Sequence, residues 1–246
     1  TASAVRLAQC QSARSARAGL TSPVQPAAMR QCRYAPTCLN YAHWAGTTMK
    51  RRLFLLAGTA GLLTLAACEP APKPHYNGLD LTGGDYKPDF SLSGPDGKVY
   101  TLADFKGKYV MVFFGFTQCP DVCPTALSRA LEIRQKLGAD ADKLQVIFIS
   151  IDPERDTPEL LGEYMRAFDP SFLGLRTDPK NTAQTAFNYK VFYRRVPSGS
   201  SYTMDHTAIS YVIDPQGRMR LGLKHQMTGD ECVQDIKTLM KSKYTL

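Results

Sequence analysis

Two runs constrain this chain more than any other feature, the continuous apolar "KYVMVFFGF" at 108–116 and the largely apolar "KLQVIFISI" at 143–151. Such runs read as strands buried on both faces of a covered sheet. Between them "TALSRALEIRQKLG" at 125–138 is amphipathic and stops at a glycine, which predicts a helix ending at Gly138. Further elements follow the same logic. "PDFSLSGPDGKVYTL" alternates and turns at Pro95-Asp96-Gly97, as a small hairpin does. "DTPELLGEYMRAF" predicts a helix with Thr157 as N-cap and Pro158 at its first position. "FLGLRT" reads as a short strand and "DPKNTAQTAFNYK" as a helix. "HTAISYVID" and "RMRLGLK" flank a turn at 214–217, and "TGDECVQDIKTLMKSK" closes the chain as a helix.

This order predicts an α/β protein. It looks like a thioredoxin-like fold, with a central mixed β-sheet flanked by helices. A fold of that kind hosts many chemistries, so function has to come from particular residues.

The first part of the chain reads differently. Residues 1–48 contain five arginines and no acid, as an organellar transit peptide or as translated upstream sequence. The second reading is favoured because a complete export signal begins afresh at Met49. There "MKRRLFLLAGTAGLLTLAAC" has a basic head, about fifteen apolar residues and small residues before a cysteine. The run is too short and glycine-rich for a membrane span. "LAAC" resembles the lipobox of bacterial lipoproteins, which implies lipidation at Cys68 as a membrane tether. "RRLFL" loosely resembles a twin-arginine signal, with Sec export as the default. Residues 69–84 are rich in Pro and Gly and read as an extended linker holding a domain at 85–246 away from the membrane.

Charge follows the same division. The net charge is +8, but residues 1–68 hold eight Lys or Arg and no acid, leaving 22 basic and 22 acidic groups in the remainder. A neutral domain of that kind gives no basis for nucleic-acid binding. Cys10, Cys32, Cys38 and His43 lie in the biased leader and match no ligand spacing.

Chemistry concentrates in "FGFTQCPDVCPTAL" at 114–127, just after the first apolar strand. Ligands bind at the C-terminal ends of strands in open α/β sheets. Cys119 and Cys123 admit three readings there. Export to an oxidising space permits a structural disulfide. A nearby helix N-terminus would stabilise a thiolate in a redox dithiol. Soft thiolates also select Cu(I) or Zn(II). Pro124 lacks an N–H and disfavours α geometry at the residue before it, so the helix is expected to begin at Pro124, with "CPDVC" as a shaped loop ahead of it.

A specific metal site needs a further ligand. His75 lies in the linker and His225 follows the last hairpin, both expected at the surface. His206 stands directly before a predicted strand, in "YTMDHTAISYVID". Thioredoxin-like proteins typically carry a cis-proline there, facing the dithiol. An imidazole in that place makes a set of two sulfurs and one nitrogen. Structural Zn(II) wants four closed ligands, so three softer ones favour Cu(I).

"GFTQCPDVCP", "ISIDPERDTP" and "YTMDHTAISYVIDPQG" together resemble the Sco/SenC family over about residues 85–246. The resemblance implies a membrane-tethered, thioredoxin-like copper protein with one Cu(I) on Cys119, Cys123 and His206. It implies a partner in the copper-centre subunit of cytochrome c oxidase. The protein would deliver copper to that subunit's dinuclear site or reduce its cysteines. Other copper chaperones or thiol reductases are further expected partners, and the periplasmic side of the bacterial inner membrane is the expected location. Asp152 lies in the matching "DPERDTP" segment and reads as a cap or turn residue. Asp205 is placed either to orient His206 or to remain solvated.

Three other readings compete with this copper-binding, non-enzymatic one. A general thiol–disulfide oxidoreductase would not need the imidazole, and its cysteines would have two residues between them rather than three. A peroxiredoxin-like peroxidase lacks the expected proline and spacing around "FTQC". A redox or copper sensor would share the same residues. Cys232 reads as a small buried hydrophobe, and Met204 and Met227 as packing residues.

Overall fold

The structure is a computed structural model that describes residues 73–242, within one compact unit, Pro70–Leu246. The expectations for 1–48, for the export signal at 49–68 and for lipidation at Cys68 lie outside the described residues. Among the described residues no helix is long and apolar enough to cross a membrane.

In chain order the elements are β1 (Leu79–Asp80), β2 (Ser91–Ser93), β3 (Val99–Thr101), β4 (Tyr109–Gly115), α1 (Val122–Leu137) and β5 (Leu144–Ser150). They continue with α2 (Pro158–Phe168), β6 (Leu173–Leu175), α3 (Pro179–Asn188), β7 (Tyr193–Ser198) and β8 (Ser201–His206). The last three are β9 (Ile209–Ile213), β10 (Met219–Lys224) and α4 (Gly229–Lys241).

Six strands form one sheet in the order β1-β10-β9-β4-β5-β6. The two apolar runs become its centre. β4 pairs parallel with β5, Val112 opposite Ile147, and antiparallel with β9, Val112 opposite Tyr211. Val110 to Gly115 are all buried, as both faces of a covered strand require. β5 pairs parallel with β6, and β9, β10 and β1 complete an antiparallel half, so the sheet is mixed. This is the expected α/β, thioredoxin-like arrangement.

The helices start where local chemistry allows. Thr157 accepts a hydrogen bond from the Leu160 N–H ahead of Pro158, and Asp178 accepts from Lys180 and Asn181 ahead of Pro179. Thr228 and Glu231 form a reciprocal capping box at α4. α1 packs against α4, and α1 ends on Gly138 at φ 59°, where a side chain would be strained.

Three expectations are corrected. First, α1 begins at Val122 and not at Pro124, with Asp121 as N-cap. Pro124 is the third residue of the helix, where an N–H would have no intrahelical partner, so its ring costs no hydrogen bond. Cys119 therefore lies in the loop and Cys123 inside the first turn. Second, the linker expected through residue 84 is docked from Asn77 onwards. Asn77 and Gly78 donate their N–H groups to the buried Asp235 carboxylate of α4, at 2.9 and 2.8 Å, and β1 then pairs with β10. Third, the sequence pattern predicts no element between residue 193 and His206, and this stretch forms a two-stranded ribbon, β7–β8, that pairs with no other strand among the described residues. His206 closes β8, and β9 begins three residues later.

Candidate metal centre

The centre forms where β4 and β5 end. Gly115 closes β4, and a Cβ placed there would lie 2.7 Å from Cys123 Sγ and 2.7 Å from a Phe148 ring carbon. Only a residue without a side chain lets the helix-borne sulfur approach the sheet so closely. The chain then turns, with the Cys119 N–H donating to the Phe116 carbonyl at 3.2 Å.

The loop between β4 and α1 is held by a buried carboxylate. Asp156 accepts from the Thr117 N–H at 3.2 Å, the Thr117 hydroxyl at 2.6 Å and the Ser150 hydroxyl at 2.6 Å. Burial raises its pKa, against those hydrogen bonds. Ser150 ends β5, so Asp156 ties the cysteine loop to the neighbouring strand.

Cys123 is fully buried and Cys119 half-buried, and both are free thiols. The Cys123 N–H donates to Cys119 Sγ at 3.4 Å, as an amide in a first helical turn can. The two sulfurs are electrostatically unequal. The hydrogen bond from the Cys123 thiol holds Cys119 far below the usual thiol range, at about 3, with His206 and the N–H groups of Asp121 and Cys123 adding to it against burial. Donating to Cys119, together with burial, drives Cys123 in the opposite direction. Of the two, Cys119 is the sulfur that gives up its proton more readily.

His206 arrives from the ribbon. Its Nε2 lies 3.7 Å from Cys123 Sγ, and its Nδ1 lies 3.1 Å from the Thr207 carbonyl oxygen. A carbonyl only accepts, so Nδ1 carries a proton, and Nε2 is the ring atom that faces the sulfurs. The imidazole stands edge-on to Phe113 and Phe116, with ring centroids at 5.8 and 6.1 Å. Thr207 is fixed to Phe192 in two directions, donating its N–H to the Phe192 carbonyl at 2.9 Å and accepting from the Phe192 N–H at 3.0 Å. The ligand atoms of Cys119, Cys123 and His206 all lie within 4.8 Å of one another. Two soft sulfurs and one imidazole nitrogen, in an apolar wall, suit copper(I) better than a hard or four-coordinate ion.

Other residues fall elsewhere. Asp205 points to the outer face of the ribbon and pairs with Arg194 at 2.8 Å. The carbonyl of Thr207 meets His206 Nδ1, so of the two placements open to Asp205 the structure shows the solvated one. Asp152 is the turn residue expected after β5, its carbonyl accepting from the Arg155 and Asp156 N–H groups at 3.1 and 3.0 Å. Its carboxylate joins the Arg155 guanidinium and accepts from the Tyr202 hydroxyl at 2.9 Å. His225 is partly buried rather than at the surface, with its carbonyl accepting from Arg129. His75 is exposed, Cys232 is fully buried in α4, and Met204 and Met227 are core residues. Sequence reasoning missed Gly115, Asp156, Arg155 and Tyr202. The signal available was "DPERD", an uncommon density of charge directly after a buried strand.

Comparison with known proteins decides the family. The family model described as SCO1/SenC matches residues 80–241. The chain belongs to the SCO1/SenC family. This SCO1/SenC chain is 35% identical over 176 residues to a SCO2-like protein of Rickettsia felis, covering 70% of this chain and 84% of that one. Among solved structures it is similar to Bradyrhizobium japonicum ScoI with copper bound, at 42% identity and TM-score 0.57, covering 62% of this chain and 98% of that one. It is also similar to yeast Sco1 with copper bound, at 31% identity and TM-score 0.59, covering 64% and 90%.

Proposed function

We propose that this SCO1/SenC protein binds one Cu(I) through Cys119, Cys123 and His206 and delivers it to the dinuclear copper centre of cytochrome c oxidase during assembly. The convergence of two sulfurs and one imidazole nitrogen within 4.8 Å carries the reading. Copper-bound relatives at 42% and 31% identity support it. Three ligands leave room for an incoming thiolate of the acceptor, so the ion can pass by stepwise ligand exchange. Cys119, half-buried in a loop, and His206, on a ribbon outside the main sheet, are the ligands free to yield first. Cys123 is fully buried and yields last.

The low pKa of Cys119 favours a second role at the same site, reduction of the acceptor's cysteines. The Cys119 thiolate would attack one sulfur of the acceptor disulfide, and the other sulfur would leave as a thiolate. Cys123, on losing its proton, would attack Cys119 and release the second acceptor thiol. Two electrons pass to the acceptor, and this chain keeps a Cys119–Cys123 disulfide. Forming that disulfide removes both sulfur ligands, so redox state gates copper binding.

The tether belongs to the same proposal. Lipidation at Cys68 and the linker after it would hold the domain on the periplasmic side of the bacterial inner membrane, where copper-centre subunits are accessible.

The test incubates the Cu(I)-loaded chain with the apo copper-centre domain in two states, reduced and disulfide-bonded. Delivery predicts copper on the reduced acceptor. Reduction predicts acceptor thiols and an intramolecular disulfide here. Transfer of neither copper nor electrons would refute both.

A further inference from the structure

The two halves of the copper site reach it by separate routes. The cysteines come from β4 and α1, inside the main fold. His206 comes from β8, and the β7–β8 ribbon has no strand partner in the six-stranded sheet. A lone two-stranded ribbon is marginal in water, so side-chain contacts must set its position. Along β8, residues 202, 204 and 206 share a face, and Met204 is buried on it. Whatever fixes Tyr202 on that face therefore aims His206.

One side chain grips both halves. The Arg155 guanidinium donates to the Gln118 side-chain oxygen at 3.0 Å, next to Cys119, and to the Tyr202 carbonyl at 2.8 Å on β8. Its Nε pairs with Asp152, which also accepts from the Tyr202 hydroxyl. The same guanidinium lies 3.7 Å over the Tyr202 ring and 5.8 Å from the Phe116 ring, which itself touches His206. Arg195 stacks on Tyr202 at 4.0 Å while paired with Glu154 at 2.6 Å. The Tyr202 ring is thus held by two guanidinium groups, those of Arg155 and Arg195. A planar fork with fixed donors is what such a three-way joint requires, and an ammonium cannot reproduce it.

We propose that Arg155 is a positioning residue for copper, acting through Gln118 and Tyr202 to hold His206 at the correct distance from the two cysteines. The proposal rests on the reading of Cys119, Cys123 and His206 as the copper ligands.

The test uses the full chain, Cu(I) and a chelator of known affinity. Arg155→Met is expected to weaken Cu(I) binding by about 10- to 100-fold, and Arg155→Lys is expected not to restore it. X-ray absorption of the Cu(I)-loaded Arg155→Met protein should lose the nitrogen ligand and keep both sulfurs, which a general loss of stability would not produce. In the His206→Ala background Arg155→Met should add nothing, because both changes act on one ligand. Parental affinity with nitrogen retained, or an equal loss in both backgrounds, would overturn the proposal. Gln118 is exposed, so Gln118→Ala tests the same joint without burying a defect. It should weaken Cu(I) binding in the same direction by a smaller factor, and an unchanged affinity overturns the proposal even where Arg155→Met does not fold. Failure of the copper-site reading itself shows separately, as His206→Ala binding Cu(I) like the parent.

Discussion

Nε2 of His206 stands 3.7 Å from Sγ of Cys123, across 83 residues of chain. The contact joins a ribbon outside the main sheet to the first turn of a helix inside it. A site assembled from two independently held pieces can bind an ion tightly when both are in place and release it when one shifts.

The unequal sulfurs predict selective chemistry. Cys119 is held at about 3, so it remains a thiolate at mildly acidic pH, where an ordinary thiol with a pKa near about 8.5 is protonated. Burial lifts Cys232 to about 11, and Cys123 is raised by its hydrogen bond to Cys119 and by burial. Brief alkylation of the metal-free, reduced chain at about pH 5 should label Cys119 ahead of Cys123 and Cys232, read by peptide mass mapping. Equal labelling that grows only as pH approaches the ordinary thiol range would contradict the assignment.

Close approach at Gly115 predicts intolerance of the smallest side chain. Gly115→Ala puts a methyl 2.7 Å from Cys123 Sγ and from Phe148. The expected cost is about 1–3 kcal/mol of stability from overpacking, measured by urea unfolding. Weaker Cu(I) binding should accompany it, because the sulfur that moves is a proposed ligand.

The buried carboxylate of Asp156 predicts two effects. Asp156→Ala leaves buried donors on Thr117 and Ser150 without an acceptor and should cost about 1–3 kcal/mol. The raised pKa sets the sign of the pH dependence. A carboxyl that binds its proton more readily folded than unfolded contributes stability below its unfolded pKa and loses it as pH rises through the raised value. The parent should therefore lose stability relative to Asp156→Asn as pH increases through that window, in denaturant titrations at a series of pH values. A constant difference would show that Asp156 does not titrate there.

Asp205 predicts a null result beside a proposed ligand. Its carboxylate is exposed and paired with Arg194 on the outer face. An exposed pair contributes about 0–1 kcal/mol, so Asp205→Ala should leave Cu(I) affinity unchanged in competition titrations. A large loss would restore an orienting role for Asp205.

Local pattern made part of this molecule legible and topology hid the rest. The buried runs at 109–115 and 144–150 announce the central strands because a strand covered on both faces is apolar at nearly every position. Thr157-Pro158 and Asp178-Pro179 mark helix starts through chemistry within a few residues. Pro124 misled because its meaning depends on how far into the helix it falls, and the helix begins two residues earlier. "YRRVPSGSSYTMDH" gave no strand signal because the ribbon leaves the main sheet, so Pro197 and the arginines need not alternate with core residues. Arg155, Tyr202 and Asp156 act between segments distant in sequence, over separations of 47 and 39 residues, where spacing carries no information. Gly115 looks like any strand-ending glycine until the sulfur opposite it is known.

The central claim is that Cys119, Cys123 and His206 form one copper site. Titration of the reduced chain with Cu(I) against a competing chelator, beside the His206→Ala variant, tests it directly. A single site of these three residues predicts one tightly bound Cu(I) per parent chain and markedly weaker binding in the variant. Equal affinity in the two proteins would contradict it.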